Sequence, residues 1–153
     1  MLTPALTGRA RLRASALLLL VAATFGVVGA GAPAQAATFT QQVVNEAARH
    51  RGVPYQYGAS GPSRFDCSGY TRYIYLRFHK SLPHNSAQQY ATTHHVSKAA
   101  MQPGDLLFFR NSSGRISHVA LYAGNGNMWH APHSGTVVKL VKIYSSDYLV
   151  GRP

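Results

Sequence analysis

Phe65-Asp66-Cys67-Ser68-Gly69-Tyr70 contains the chain's single cysteine and lies where a loop turns into a helix. On its C-terminal side Tyr70, Ile74 and Phe78 recur every fourth residue, which predicts a helix starting at Asp66 or Cys67 with that stripe buried. On its N-terminal side Gly61-Pro62-Ser63 reads as a loop, preceded by Val53-Pro54-Tyr55-Gln56-Tyr57-Gly58. Further upstream, Phe39, Val43, Val44, Ala47 and Ala48 follow helical spacing. Thr38 or Thr40 caps that helix, and Gly52 with Pro54 ends it. Downstream, Pro83 breaks the chain and Asn85 caps a short third helix carrying Ala87, Gln88 and Tyr90. After Pro103-Gly104 the period changes, and 106–109, 116–123, 127–131 and 136–143 read as strands separated by Gly, Asn and Ser turns. Helices first and consecutive strands afterwards predict an α+β domain with an antiparallel sheet.

The 153 residues suit one domain, and a hydrophobic fraction of 46% excludes a disordered tail. One cysteine closes no intramolecular disulfide and supplies no four-cysteine zinc site. With 15 Lys and Arg against 4 Asp and Glu, the net charge of +11 points to an acidic partner: nucleic acid, anionic membrane or anionic cell-wall polymer. Arg9, Arg11 and Arg13 precede an uncharged, Leu/Val/Ala-rich run over 14–32 that reaches Ala34-Gln35-Ala36. This predicts a secretory signal peptide over 1–36 and a soluble, secreted domain over 37–153. The competing reading, a retained membrane anchor, fits Pro33 and the A-x-A end less well, so no stable membrane insertion is expected after cleavage.

A thiol in the first turn of a helix is flanked by unpaired N–H groups and the positive end of the dipole. Both lower its pKa below the usual ~8.5. Ser68 and Gly69 are small and predict room for a substrate to approach. A thiolate nucleophile needs a proton carrier, usually histidine. His50, His79, His94 and His95 fall at helix ends or in loops, whereas His118 and His130 interrupt apolar strands. Two buried histidines in adjacent strands cost desolvation unless they share a task. A two-residue turn at Asn125-Gly126 opposes His118 to His133 and turns His130 to the other face; a loop one residue longer or shorter puts His118 and His130 together. Spacing alone leaves that choice open. His94-His95 and His130-x-x-His133 could ligate a metal. Without H-E-x-x-H and with carboxylates scarce, no metal or other cofactor is predicted. No zinc-finger, RNA-binding or helix-turn-helix signature accompanies the charge, so nucleic acid is not an expected partner.

These residues resemble the NlpC family of peptidoglycan endopeptidases, papain-like cysteine peptidases. The resemblance runs in order through Gly52-Val53-Pro54-Tyr55-Gln56-Tyr57-Gly58, Asp66-Cys67-Ser68-Gly69, 82–89, 103–109, 118–124 and His130-Ala131. It implies a nucleophile helix packed on a small antiparallel sheet or partial barrel. It also implies Cys67 as nucleophile, His118 as proton carrier and His130 as third catalytic residue, which requires the odd-length hairpin loop. Tyr55 is implied near the oxyanion, and Asp66 and Ser68 at substrate-binding positions, although Asp66 also suits helix capping. The implied substrate is the peptide stem of peptidoglycan, cut between D-γ-glutamate and a diamino acid. A monomer associated with the cell wall is expected. His84 stands where the family often has Arg, and Tyr70 where it usually has an aliphatic residue. Two other readings use the same residues: an N-acetylmuramoyl-L-alanine amidase or acyl transferase, and a non-catalytic cationic wall-binding protein.

Overall fold

The computed structural model describes residues 37–153; the signal peptide expected over 1–36 lies outside the described residues. Three helices precede most of the sheet: α1 (Phe39–Arg49), α2 (Cys67–Leu76) and α3 (Ser86–Thr92). Thr38, Asp66 and Asn85 cap them, each side chain accepting from a backbone N–H of the first turn. The strands are β1 (His94–Val96), β2 (Leu106–Arg110), β3 (Ile116–Gly124), β4 (Asn127–His130), β5 (Lys139–Lys142) and β6 (Tyr148–Arg152). They form one sheet in the order β1-β6-β2-β3-β4-β5, every neighbour antiparallel. Among the described residues no helix is long and apolar enough to cross a membrane.

The expected α+β architecture holds, with differences at three places. β1 and β6 were not expected, and β6 sits between β1 and β2. Gly151 interrupts the alternation in β6 because a Cβ there would collide with the Thr93 side chain, a close approach that hides the strand from pattern reading. β5 is only four residues long, since 136–138 instead pairs with the segment before α2: Tyr55 N–H donates to Thr136 and Val138 N–H to Val53, each at 2.8 Å. α2 ends at Leu76, so Phe78 packs on the core from the turn beyond it.

The sheet's alternation sorts its residues between two layers. Leu106, Phe108, Val119, Leu121 and Trp129 face Val43, Ala47, Tyr70 and Ile74 of the first two helices. Leu107, Phe109, Ala120, Met128 and Val150 form a smaller cluster on the other face. Tyr70 is fully buried, and its hydroxyl donates to the Ala47 carbonyl at 2.8 Å. That tie of α2 to the end of α1, typically about 1 kcal/mol, accounts for a tyrosine in place of an aliphatic residue.

The β3–β4 hairpin departs from expectation in an instructive way. Its loop is the two-residue Asn125-Gly126, both with positive φ (52° and 72°), as a type I′ turn requires. Gly124 pairs with Asn127, but the next pairs are Tyr122–Met128 and Leu121–Trp129. Ala123 is therefore the extra residue of a β-bulge. The bulge, and not an odd-length loop, changes the parity and brings His118 and His130 to one face.

Candidate active site

Asp66, at the start of α2, holds the surrounding backbone through its carboxylate. Oδ1 accepts from Gly69 N–H at 2.7 Å and Ser68 Oγ at 3.2 Å, and Oδ2 from Gly58 N–H at 2.9 Å. His84 Nε2 lies 2.9 Å from both oxygens. Asp66 and Ser68 are buried. They line the groove beside Cys67, but their polar atoms bond to one another and to the local backbone. A Cβ on Gly69 would strike the Ala59 carbonyl and come within 2.9 Å of His84 Nε2. The small residue thus admits the 59–60 backbone against the helix, where room for a substrate was expected. Buried Gln89 completes the frame, its amide donating to the carbonyls of Ser68 and Pro83, each at 2.8 Å.

Cys67 is half-buried in a groove of about 400 Å³ whose walls include Tyr55, Tyr57, Asp66, His84, Asn85 and Ser117. Burial raises its thiol pKa. The Val119 backbone N–H pulls it down, Asp66 pushes it up, and the N–H groups of Ser68 and Cys67 pull it down again. The net direction is upward, against the lowering expected from the helix start. Desolvation and a neighbouring carboxylate outweigh the dipole and the N–H donors. Val119 has this N–H to spare because Tyr122 N–H donates across to Asp105 beside β2. Along β3 the odd-numbered donors therefore face β4, which ends at His130. Tyr55 is half-buried; burial raises its phenol pKa, followed by Cys67 and Asp66.

The histidines meet. His118 Nε2 lies 3.0 Å from His130 Nδ1, with ring centroids 5.3 Å apart and planes at 75°. Burial lowers His118 to about 3, with His130 and His133 adding to the effect. Burial, then Lys139 and His133, lower His130 to about 4. Both shifts favour the neutral rings at pH 7. His130 is 3% exposed, and its Nε2 is buried with no hydrogen-bond partner among the described residues. His133 is exposed and bonds the Ser134 carbonyl at 2.9 Å. Among the described residues no group of three or more His, Cys, Asp or Glu stands close enough to hold a metal ion.

Sequence reasoning missed Tyr144. Its ring stacks on Phe109 at 5.1 Å and lies 6.1 Å from His130, and burial followed by the charge of Cys67 raises its phenol pKa. No motif surrounds it. Only the return of the chain after β5 carries it to His130. His84 was noted as a departure, and its pairing with Asp66 gives it a part in the frame.

Residues 52–151 match the family model for the NlpC/P60 family. Over 112 residues the chain is 46% identical to the probable endopeptidase p60 of Listeria monocytogenes, covering 71% of this chain and 22% of that protein. The chain thus spans about a fifth of that relative's length. It is 33% identical over 109 residues to a gamma-D-glutamyl-L-lysine dipeptidyl-peptidase of Bacillus cereus, covering 70% of this chain and 33% of that one. Among solved structures, the NlpC/p60 domain of the peptidoglycan hydrolase SagA superposes with a TM-score of 0.68 at 35% identity, covering 74% of this chain and 99% of that one.

Proposed function

The chain belongs to the NlpC/P60 family, and we propose that it is a secreted peptidoglycan endopeptidase that cuts stem peptides with a Cys67–His118–His130 triad. The observation that carries this reading is the convergence at Cys67. The groove that holds Cys67 is also walled by Ser117, the residue next to His118, and His118 Nε2 lies 3.0 Å from His130 Nδ1. The relative described as a gamma-D-glutamyl-L-lysine peptidase supports a bond between D-γ-glutamate and a diamino acid as the one cut. The basic flank and A-x-A end within 1–36 support export. The net charge of +11, of which +8 (12 Lys and Arg against 4 Asp and Glu) falls in residues 37–153, supports attraction to anionic wall polymers.

The pKa directions specify the resting state. A raised thiol and a lowered imidazole favour the neutral pair over the thiolate–imidazolium pair. In the tautomer this reading requires, His118 Nε2–H donates to His130 Nδ1 and His118 Nδ1 is left as the base. As the Cys67 sulfur attacks the amide carbon, its proton passes to Nδ1, and His130 orients the ring and spreads the charge that forms. The oxyanion takes the Cys67 backbone N–H and the Tyr55 hydroxyl, each such donor lowering the barrier by about 3 kcal/mol. The proton on Nδ1 then goes to the leaving amine. Water, deprotonated by the same nitrogen, hydrolyses the thioester to release the new carboxyl group and the thiol. Mass spectrometry of fragments released from purified peptidoglycan tests the reading. Fragments ending in D-γ-glutamate that vanish with Cys67→Ala are expected; fragments from the N-acetylmuramoyl–L-alanine bond would replace endopeptidase with amidase.

A further inference from the structure

A second cavity, of about 340 Å³, shares no wall residue with the Cys67 groove but meets the histidine pair. Its lining includes His130, His133, Lys139, Lys142 and Tyr144. The chain has 4 acidic residues, and each is paired elsewhere: Glu46 with Arg49, Asp66 with His84, Asp105 with Arg152 and Asp147 with Arg110. Among the described residues, Lys139 and Lys142 therefore have no acidic partner. His130 is a wall of this cavity, and its buried Nε2 lacks a hydrogen-bond partner. A buried nitrogen without a partner is costly unless something from outside completes it, and here it lies beside two exposed, acid-free cations.

We propose that this cavity is a carboxylate-binding subsite for the part of the substrate on the amine side of the scissile bond, with Lys139 and Lys142 as its cations. The proposal rests on the endopeptidase reading. A peptide whose acyl part occupies the Tyr55–Asp66 groove crosses Cys67 and runs on toward Tyr144. Tyr144 lies within electrostatic reach of the thiol and lines this cavity. Val141 gives an apolar wall beside the cations. That combination suits a small aliphatic residue ending in a carboxylate better than a bare phosphate. Lys139 and His133 also help to hold His130 neutral, so an anion seated there relieves that repulsion and favours the imidazolium formed during attack.

The test is a binding measurement that needs no turnover. The full chain, with its histidines labelled with nitrogen-15, is titrated with N-acetyl-D-alanine, with N-acetyl-D-alaninamide and with inorganic phosphate, following the imidazole signals of His130 and His133. Saturable shifts with the acid are expected, the amide binding about tenfold more weakly, as loss of a charged hydrogen bond costs. The Lys139→Ala/Lys142→Ala variant, with its melting temperature unchanged, loses that preference. Equal responses to acid and amide, an unaltered preference in the variant, or tighter binding of phosphate than of the acid would overturn the proposal. Since none of these readouts uses cleavage, a wrong scissile bond leaves them intact, and their failure leaves the triad untouched.

Discussion

The two ends of the candidate site are built on opposite principles. At the nucleophile end, Asp66 accepts from Gly58, Ser68 and Gly69 and meets His84, leaving neither oxygen unpaired. At the histidine end, among the described residues, His130 Nε2 has no partner, and the cations of the neighbouring cavity have no acid. A saturated network fixes position: it holds the first turn of α2, and with it the sulfur, in one place. An unsaturated one stores a preference for something not yet bound. Each of the chain's four carboxylates has a partner elsewhere, Asp66 alone within this frame, so Lys139 and Lys142 keep their charge without an acid beside them.

The largest effect tests whether the two ends act as one unit. Cys67→Ala and His118→Ala should each reduce fragment release by at least about a thousandfold, because members of a catalytic unit fail together. Substantial activity in either variant, measured on purified peptidoglycan, would separate the ends. His130→Ala should be about a hundredfold milder than His118→Ala, as loss of an orienting residue is in other triads. Losses of equal size would make His130 a direct proton carrier.

The protonation reading sharpens the contrast. With the thiol raised by burial and Asp66 and the imidazole lowered to about 3, Cys67 should alkylate slowly at neutral pH. Its rate should climb in a single step on the alkaline side. A thiolate–imidazolium pair would instead keep a reactive plateau well into acid. Iodoacetamide kinetics from pH 4 to 10 decide between them. The same lowering has a consequence for stability. Between the unfolded value of ~6.5 and the folded values of about 3 and 4, the unfolded chain binds more protons. Histidine-linked stability is therefore full above pH ~6.5 and lost as pH falls toward those folded values. Thermal melts of the wild type and His118→Gln should converge in acid relative to their difference at pH 7.

Smaller effects probe the frame. Gly69→Ala should cost about 1–3 kcal/mol, because the Ala59 backbone must move to admit a methyl group. It should also lower turnover by displacing the first turn of α2. Denaturant melts and kcat read the two losses separately. His84→Arg should be the mildest, keeping a nitrogen donor to Asp66 and leaving turnover within about threefold. A large gain or loss would mean that residue 84 touches substrate directly.

Local pattern carried much of this protein. The 3.6-residue period, the caps at Thr38 and Asn85 and the apolar alternation from residue 106 onward already describe helices followed by an antiparallel sheet. Cys67 at a helix start and histidines interrupting two apolar strands already mark a thiol chemistry. These signals are legible because capping, burial and periodicity act between residues close in the chain. What the sequence left open was decided by contacts between distant residues. The bulge at Ala123, which brings His118 to His130, is a register shift between β3 and β4 that no local pattern displays. The rise in the Cys67 pKa comes from burial that only the assembled groove imposes. Gly151 conceals β6 because the reason for its missing side chain, Thr93, lies far away in sequence. Tyr144 and the Lys139–Lys142 cavity reach the site only when the last strands close the sheet, since a charge acts through space and not along the chain.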